Sequence, residues 1–134
     1  MKIKFFLALA VTLLIATGCV KTQNDKKQFG VPLMKDKFES RYERPVAQVY
    51  SASAAVVRAN GILQNESTLH GTNGVTTLVI EGRIQERKVY IGVKAVDART
   101  TGVRVQVRTG MGGRDLDLAR EIDKQIAITL TTMR

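Results

Sequence analysis

The chain has 134 residues, enough for a single domain, and carries a formal net charge of +9 from 21 basic and 12 acidic side chains. It contains one cysteine, one histidine and no tryptophan. An internal disulfide is therefore excluded, and no metal site is expected, because zinc takes three or four clustered ligands. A basic balance suits nucleic acid, acidic lipid or an acidic partner, and composition alone does not separate these classes.

The amino terminus has the layout of a secretory signal peptide. Lys2 and Lys4 form a positive head, a nearly unbroken apolar run follows over residues 5–15, and small residues lead to Cys19. The run of about eleven residues is too short to cross a bilayer as a helix, which takes roughly 20. We therefore expect residues 1–18 to be removed rather than kept as an anchor.

The segment Ala16-Thr17-Gly18-Cys19 resembles the lipobox of bacterial lipoproteins. The resemblance implies that the Cys19 thiol receives a diacylglycerol, that a signal peptidase cuts before it, and that the new amino terminus is acylated, for example with palmitate. Several acyl chains on one residue make membrane attachment effectively permanent. Apart from this covalent lipid, no cofactor is expected. The alternative is an ordinary secretory signal with an incidental cysteine.

The residue after the predicted lipidation site indicates the membrane. Val20 stands where lipoproteins retained in the inner membrane usually have aspartate, so the resemblance implies the outer membrane, with the domain facing the periplasm. An exported lipoprotein rarely meets nucleic acid, which is therefore not expected as a partner. Without a disulfide in this oxidising compartment, the fold depends on its apolar core.

A polar, lysine-rich segment over residues 19–37 follows, and its composition predicts a lipidated flexible tether. A coil of about eighteen residues has a root-mean-square reach of roughly 25 Å. Its five lysines either belong to a solvated spacer or contact anionic head groups, in which case each contributes about 1 kcal/mol near a charged surface.

Residues 38–134 read as one periplasmic domain. A short alternating strand over residues 38–42 precedes an amphipathic helix that starts at Pro45, where the missing N–H costs nothing, and ends at Gly61, a C-cap suited to a positive φ.

The period then changes from 3.6 to 2. Four strands are predicted over residues 62–69, 75–83, 88–95 and 103–108. The short connections between them indicate an antiparallel meander with one face on the core and one in solvent.

A last helix follows a glycine-rich break, with Asp115 and Asp117 at its positive end. Its apolar stripe consists of Leu118, Ala119, Ile122, Ile126, Leu130 and Met133. Its charged residues, which are expected to point largely outward, are Arg120, Glu121, Asp123 and Lys124. Two such helices must cover one face of one sheet to bury both stripes. We therefore predict an α+β, two-layer domain of order β-α-β-β-β-β-α.

The stretch from Val103 through Gly113, then Arg114-Asp115 and a helix passing Ile122 and Ile126, is similar to the ending of a family of small Gram-negative lipoproteins. The residues Tyr42, Pro45-Val46, Val49-Tyr50 and Gly61-Ile62 fit the first strand and helix of that family. The family's periplasmic domain is one of unknown function. The resemblance therefore implies fold and location and carries over no active site.

Two local features invite a chemical interpretation, and a structural one is preferred for each. His70, the lone histidine, lies in a turn-forming segment without a neighbouring nucleophile, so we expect a turn residue rather than a catalyst. The glycines of residues 110–113 precede a helix, as in phosphate-binding loops, but Asp115 takes the third glycine position and would repel an anion. We expect a strand-to-helix turn there and no catalytic residues.

The solvent face of the predicted sheet is the most suggestive surface. If the strand phases hold, five residues point away from the valine core: Lys88, Tyr90, Lys94, Arg104 and Arg108. This face suits an acidic envelope protein, a phosphorylated glycolipid or peptidoglycan carboxylates. The alternative is a solvated face whose charges serve solubility.

The leading hypothesis is a non-enzymatic outer-membrane lipoprotein whose small domain is an interaction or accessory module of the envelope. The second hypothesis is a binder of lipid or a small apolar ligand, held in a cavity between helices and sheet lined by Ala52, Ala55 and Ala119.

Overall fold

A computed structural model describes residues 37–134. The elements are β1 Phe38–Tyr42, α1 Val46–Asn60, β2 Ile62–His70, β3 Thr76–Ile84, β4 Arg87–Ala95, β5 Thr101–Arg108 and α2 Leu116–Thr132. The predicted order and the α+β class are confirmed. The predicted signal, Cys19 and all of the predicted tether except Lys37 lie outside the described residues.

The five strands form one antiparallel sheet of order β1-β5-β4-β3-β2. The consecutive strands β2 to β5 make the predicted meander, while β1 pairs with β5 at the far edge from β2. Helix α1 spans the sheet between these two edges. Its 15 residues give a length of about 22 Å, close to the roughly 19 Å covered by four strand spacings.

Both helices pack on one face of the sheet and enclose a single apolar core. The core consists of small and β-branched residues, as expected from a chain poor in aromatics. Its buried members are Val49, Ala52, Ala54, Val56, Val57, Ile80, Ile84, Val89, Ile91, Val93, Val103, Val105, Val107, Ala119, Ile122, Ile126 and Leu130. The valines of β4 and β5 therefore point toward the helices, as the alternating pattern predicts.

The ends of α1 differ in detail from the prediction. Pro45 precedes the helix with an extended backbone, and its carbonyl accepts hydrogen bonds from Gln48 and Val49. Gly61 ends the helix, but its φ is −174°, so the expected positive φ is wrong. A glycine is needed for another reason: a Cβ at this position would lie 2.0 Å from the carbonyl oxygen of Arg83.

Helix α2 begins as the two aspartates predict. The Asp115 carboxylate accepts a hydrogen bond from the Leu118 amide at 2.9 Å, and Asp117 lies in the first turn. Asp115 also pairs with the Nε of Arg87 at 2.5 Å, which ties the start of α2 to β4. This cap is therefore part of the tertiary packing as well as of the helix.

The charge pattern of α2 predicts that Asp123 points outward, but the structure places its side chain inside the fold. Its carboxylate accepts hydrogen bonds from the hydroxyls of Ser40 and Tyr42, the latter at 2.8 Å. Both donors alternate along β1 on its helix-facing side. Asp123 therefore fastens the first strand, which has only one strand neighbour, to the last helix.

Candidate functional site

The face of the sheet opposite the helices, called here the open face, carries the predicted site residues. Within residues 37–134 both helices lie on the other face, so no helix covers it. Strand register groups its residues into rows that run across the sheet, because directly opposite residues share a face. The rows differ in charge, and this divides the open face into two ends.

At one end, three basic residues stand directly opposite one another on three neighbouring strands. Arg83 of β3 is opposite Lys88 of β4, which is opposite Arg108 of β5. These three form what we call the basic row. Beyond it, an isolated bridge pairs Arg108 with Arg114, which adds a fourth basic residue.

Within the part of the chain that the structure describes, two acidic side chains of the β3–β4 hairpin lie near the basic row. Glu86 approaches Arg83 at 3.8 Å, but its side chain is 92% exposed. Glu81 lies on the next row, opposite Tyr90. The guanidinium of Arg108 donates a hydrogen bond to the Gly112 carbonyl at 3.2 Å, which holds its side chain over the following loop.

The middle of the open face is buried, although no helix of residues 37–134 lies above it. Tyr90 stands opposite Gln106, and Val79 stands opposite Gly92. The exposed fractions of Gln106 and Val79 are each only 1%. The middle of the open face is therefore buried, in contrast to its two ends.

At the other end, the open face forms a cleft of about 950 Å³ between β1 and the β2–β3 turn. Its lining residues come from all five strands, that turn and the start of the β4–β5 connection: Glu39, Ser40, Arg41, Leu69, His70, Gly71, Thr72, Asn73, Val75, Thr77, Gly92, Lys94, Ala95, Val96, Gly102, Val103 and Arg104. Gly92 leaves space in the floor, since a Cβ there would meet only the Thr77 methyl group, at 3.5 Å.

The charges of the cleft are partly used within the domain. Arg104 binds Glu39 through its Nε and a terminal nitrogen, each at 2.8 Å, and Lys37 lies 3.2 Å from the same carboxylate oxygen. Partial burial acts to raise the pKa of Glu39, but the hydrogen bond from Lys37 and the positive charge of Arg104 hold it below its usual range. Lys94, by contrast, has no ion-pair partner among residues 37–134.

The five residues predicted from sequence all lie on the open face but do not form one patch. Lys88 and Arg108 belong to the basic row, Tyr90 lies in the middle, and Lys94 and Arg104 line the cleft.

Sequence reasoning missed Arg83 and Arg114 as neighbours of this surface. The phase of β3 could have placed Arg83 on the open face. Its position beside Lys88, however, depends on the register of the β3–β4 hairpin, which the phase of one strand does not give.

His70 is the last residue of β2, not a turn residue, and lines the cleft with an exposed ring. Its Nδ1 lies 3.3 Å from the Thr76 hydroxyl. Within the part of the chain that the structure describes, no three histidine, cysteine or acidic residues lie close enough to hold a metal ion. No helix of residues 37–134 is both long and apolar enough to span a bilayer.

The alanines expected to line a cavity between the layers belong to the packed core. Ala52 and Ala119 are fully buried, and Ala55 is half-buried. A smaller, mainly apolar notch of about 390 Å³ lies between the start of α1 and the β2–β3 turn. Its lining residues are Val46, Gly74, Val75, Thr76, Leu78 and Ala95. Neither it nor the cleft is lined by the three alanines.

No curated protein matches the chain. A crystal structure described as the di-domain ARO/CYC StfQ from the steffimycin biosynthetic pathway aligns with 72% of this chain and 43% of that chain, at 12% sequence identity and a TM-score of 0.34. A likeness this low carries no inference about activity. Residues 2–129 match the family described as "Protein of unknown function (DUF3568)". The chain therefore belongs to this family, in agreement with the expected membership of a family without an assigned function.

Proposed function

We propose that this protein is an outer-membrane lipoprotein, anchored through acylated Cys19, whose domain over residues 38–134 is a non-enzymatic interaction module of the cell envelope. The observation that supports the proposal most is the open face of the sheet. It is flanked by basic residues, and both described helices lie on the opposite side. The expected partners are an envelope protein, an acidic glycolipid or peptidoglycan.

The anchoring part of the proposal is tested by metabolic labelling. Cells expressing the full chain are fed a clickable palmitate analogue, and the protein is followed by gel fluorescence and membrane fractionation. We expect label and outer-membrane sedimentation for the parent chain, and neither for Cys19→Ala. Equal labelling of both chains, or a parent chain that stays soluble in the periplasm, would refute lipid anchoring at Cys19.

The binding part is tested by site-specific photo-crosslinking in cells. A photoreactive amino acid replaces Tyr90 on the open face or, as a matched control, Ile128, which is 54% exposed on α2. Reproducible crosslinks to one envelope component at position 90 and none at 128 are expected. Crosslinks at 128 alone would move the interaction surface to the helices.

The cleft favours a second candidate function, the binding of a small ligand. Its volume of about 950 Å³ lies within the range of ligand pockets, which is roughly 300–1,000 Å³. Apolar walls at Leu69, Val75 and Val96 combine with Lys94, whose amine has no ion-pair partner within the described residues. This combination suits an amphiphile with an anionic group, held on the open face rather than between the layers.

Native mass spectrometry tests the second candidate. Residues 20–134, purified gently from the periplasm, should carry a reproducible extra mass of a few hundred daltons. The substitution Gly92→Leu should remove that mass by filling the cleft. Gly110→Leu, at a position with no atom within 4 Å of a new Cβ, is the control. A bare parent chain would count against a ligand carrier.

A further inference from the structure

The basic row is an unusual arrangement for a solvated sheet face. Directly opposite residues of an antiparallel pair have Cα atoms about 4.5–5.5 Å apart, and like charges at such positions repel. Arg83, Lys88 and Arg108 repeat this placement on three strands, with Arg114 beyond them. Among the described residues, the nearby acids are Glu86 at the exposed turn, Glu81 on the next row and Asp115, which follows Arg114 and pairs with Arg87. A surface of this kind is complementary to several anions held side by side.

An exposed apolar side chain lies at the same end of the sheet. The loop that leaves β5 after Arg108 returns to its bridge at Arg114, and Met111 lies between them. Met111 is 98% exposed, the highest exposure among the large hydrophobic residues of the described range. In segments that lie at a membrane interface, basic side chains contact head groups while apolar side chains enter the acyl boundary, and this loop offers both kinds of side chain.

The chain also enters the domain from this end. Strand β1 starts at Phe38, opposite Val105, and runs antiparallel to β5. Lys37 therefore lies on the side of Phe38 that is nearer to Arg108 than to Thr101. The three residues that lead from Val105 to Arg108 span about 10 Å. Strand β1 therefore begins at its end nearer the basic row, while the Lys37 amine reaches back to Glu39 at the cleft.

From these three observations we infer that the basic row and Met111 form a docking surface for an anionic phospholipid bilayer. The inference deepens the proposed function and rests on its lipid anchor only for orientation in the cell. Arginine and lysine contact the lipid phosphates, and Met111 inserts beside them. The cleft lies about six residues away along β4, roughly 20 Å, and faces away from the membrane.

Vesicle sedimentation tests the inference without help from acyl chains. The protein is residues 19–134 with Cys19→Ser, and the probes are vesicles of 30% phosphatidylglycerol in phosphatidylcholine and of phosphatidylcholine alone. The row variant is Arg83→Glu with Lys88→Glu. The control, Arg120→Glu with Lys124→Glu, makes the same charge change on the exposed side of α2. Circular dichroism verifies that each variant is folded. If the row variant does not fold, the neutral double variant Arg83→Gln with Lys88→Gln is used in its place.

The parent chain should bind the anionic vesicles and not the neutral ones. One basic residue near an anionic surface corresponds to about fivefold in affinity, so the row variant should lose at least about 50-fold. The control should lose less than about fivefold, and Met111→Ser should weaken binding severalfold. Equal losses for row and control variants would reduce the effect to net charge and overturn the inference. A parent chain that ignores anionic vesicles, or that binds soluble glycerol phosphate equally well, would also overturn it.

The result is independent of lipidation. Vesicle binding by this unlipidated chain can succeed while palmitate labelling of the native chain fails, and the reverse can also occur. Failure of the docking surface is therefore distinguishable from failure of the proposed anchor.

Discussion

At the scale of single residues, the contact between Tyr42 and Asp123 determines how the first strand is held. The Tyr42 hydroxyl donates to the Asp123 carboxylate at 2.8 Å and lies 3.1 Å from its backbone carbonyl. Burial of the phenol, together with this carboxylate, raises the pKa of Tyr42 to about 12. The neutral phenol is therefore the form that the folded state favours.

This contact predicts a loss of stability at alkaline pH. Because the folded pKa lies above the ordinary value near 10, the stabilisation is complete below pH 10 and is lost as the pH rises toward 12. Tyr42→Phe should cost about 1 kcal/mol at pH 7 and make the free energy of unfolding less dependent on pH between 10 and 12. Tyr50, whose pKa is raised to about 12 by burial and by Glu66, leaves part of the dependence in place.

Urea unfolding at a series of pH values measures the effect of Tyr42→Phe, and Tyr50→Phe serves as the comparison. An unchanged slope above pH 10 in Tyr42→Phe would show that the phenol is not stabilised in its neutral form by folding.

A second residue-scale prediction concerns Gly61. Its backbone is extended, so no glycine is required by φ, but an added Cβ would lie 2.0 Å from the Arg83 carbonyl oxygen. Gly61→Ala must separate the end of α1 from β3 and should destabilise the domain by about 2 kcal/mol or more. Gly110→Ala, with nothing within 4 Å of the new Cβ, should be neutral or slightly stabilising. Equal midpoints of urea unfolding for the two variants would contradict the close approach.

At the scale of elements, the β3–β4 hairpin carries backbone strain in its turn. Gln85 and Glu86 have φ values of +49° and +61°, the two-residue geometry that normally selects asparagine and glycine. Each non-glycine residue in this left-handed conformation lowers the stability of the fold by about 1 kcal/mol.

The pair Gln85→Asn with Glu86→Gly should therefore stabilise the domain by about 1–2 kcal/mol. The ion pair lost with Glu86 is long and exposed and contributes little. A higher urea midpoint with an unchanged m-value is the expected result. The control Glu86→Gln removes the charge and keeps the strain, so a gain of equal size in that control would assign the effect to electrostatics.

The elements themselves were predictable because each one is dictated by its local pattern. The stripe that includes Ile122 and Ile126 gives α2, and the alternation around Val105 gives β5. The connection between β3 and β4 was predicted to be short, but its two-residue geometry was not, because neither Gln85 nor Glu86 is a residue that this turn favours.

At the scale of the whole molecule, the pairing of distant strands determines the sheet order and the register, which the sequence pattern could not predict. Strand β1 lies beside β5 because α1 is long enough to cross the sheet, and neither fact is visible in the five residues of β1. The same limit applies to the site. The strand phases placed Lys88 and Arg108 on the open face, but only the register brings Arg83 beside them.

The cleft was also beyond reach from sequence. It arises where the β2–β3 turn and β1 flank a floor containing Gly92, and a glycine in an alternating strand gives no sign of which neighbours face it. Asp123 was misplaced for a similar reason, since only the position of β1 makes it a hydrogen-bond acceptor inside the fold.

The two ends of the open face lead to one expectation for the whole molecule on a membrane. With the basic row against the lipid, the β3–β4 turn lies near the bilayer and the β2–β3 turn lies far from it. The two turns stand at opposite ends of β3, whose nine residues span about 27 Å.

Fluorescence quenching in vesicles measures this orientation directly. The lipidated full-length protein, whose Cys19 thiol is blocked by its lipid, carries a single new thiol label at Gln85→Cys or at Thr72→Cys. The vesicles contain 30% phosphatidylglycerol and a lipid-borne quencher. Strong quenching at position 85 and weak quenching at position 72 is the predicted result. Equal quenching at both positions, or stronger quenching at 72, would contradict a domain that docks on the membrane through its basic row.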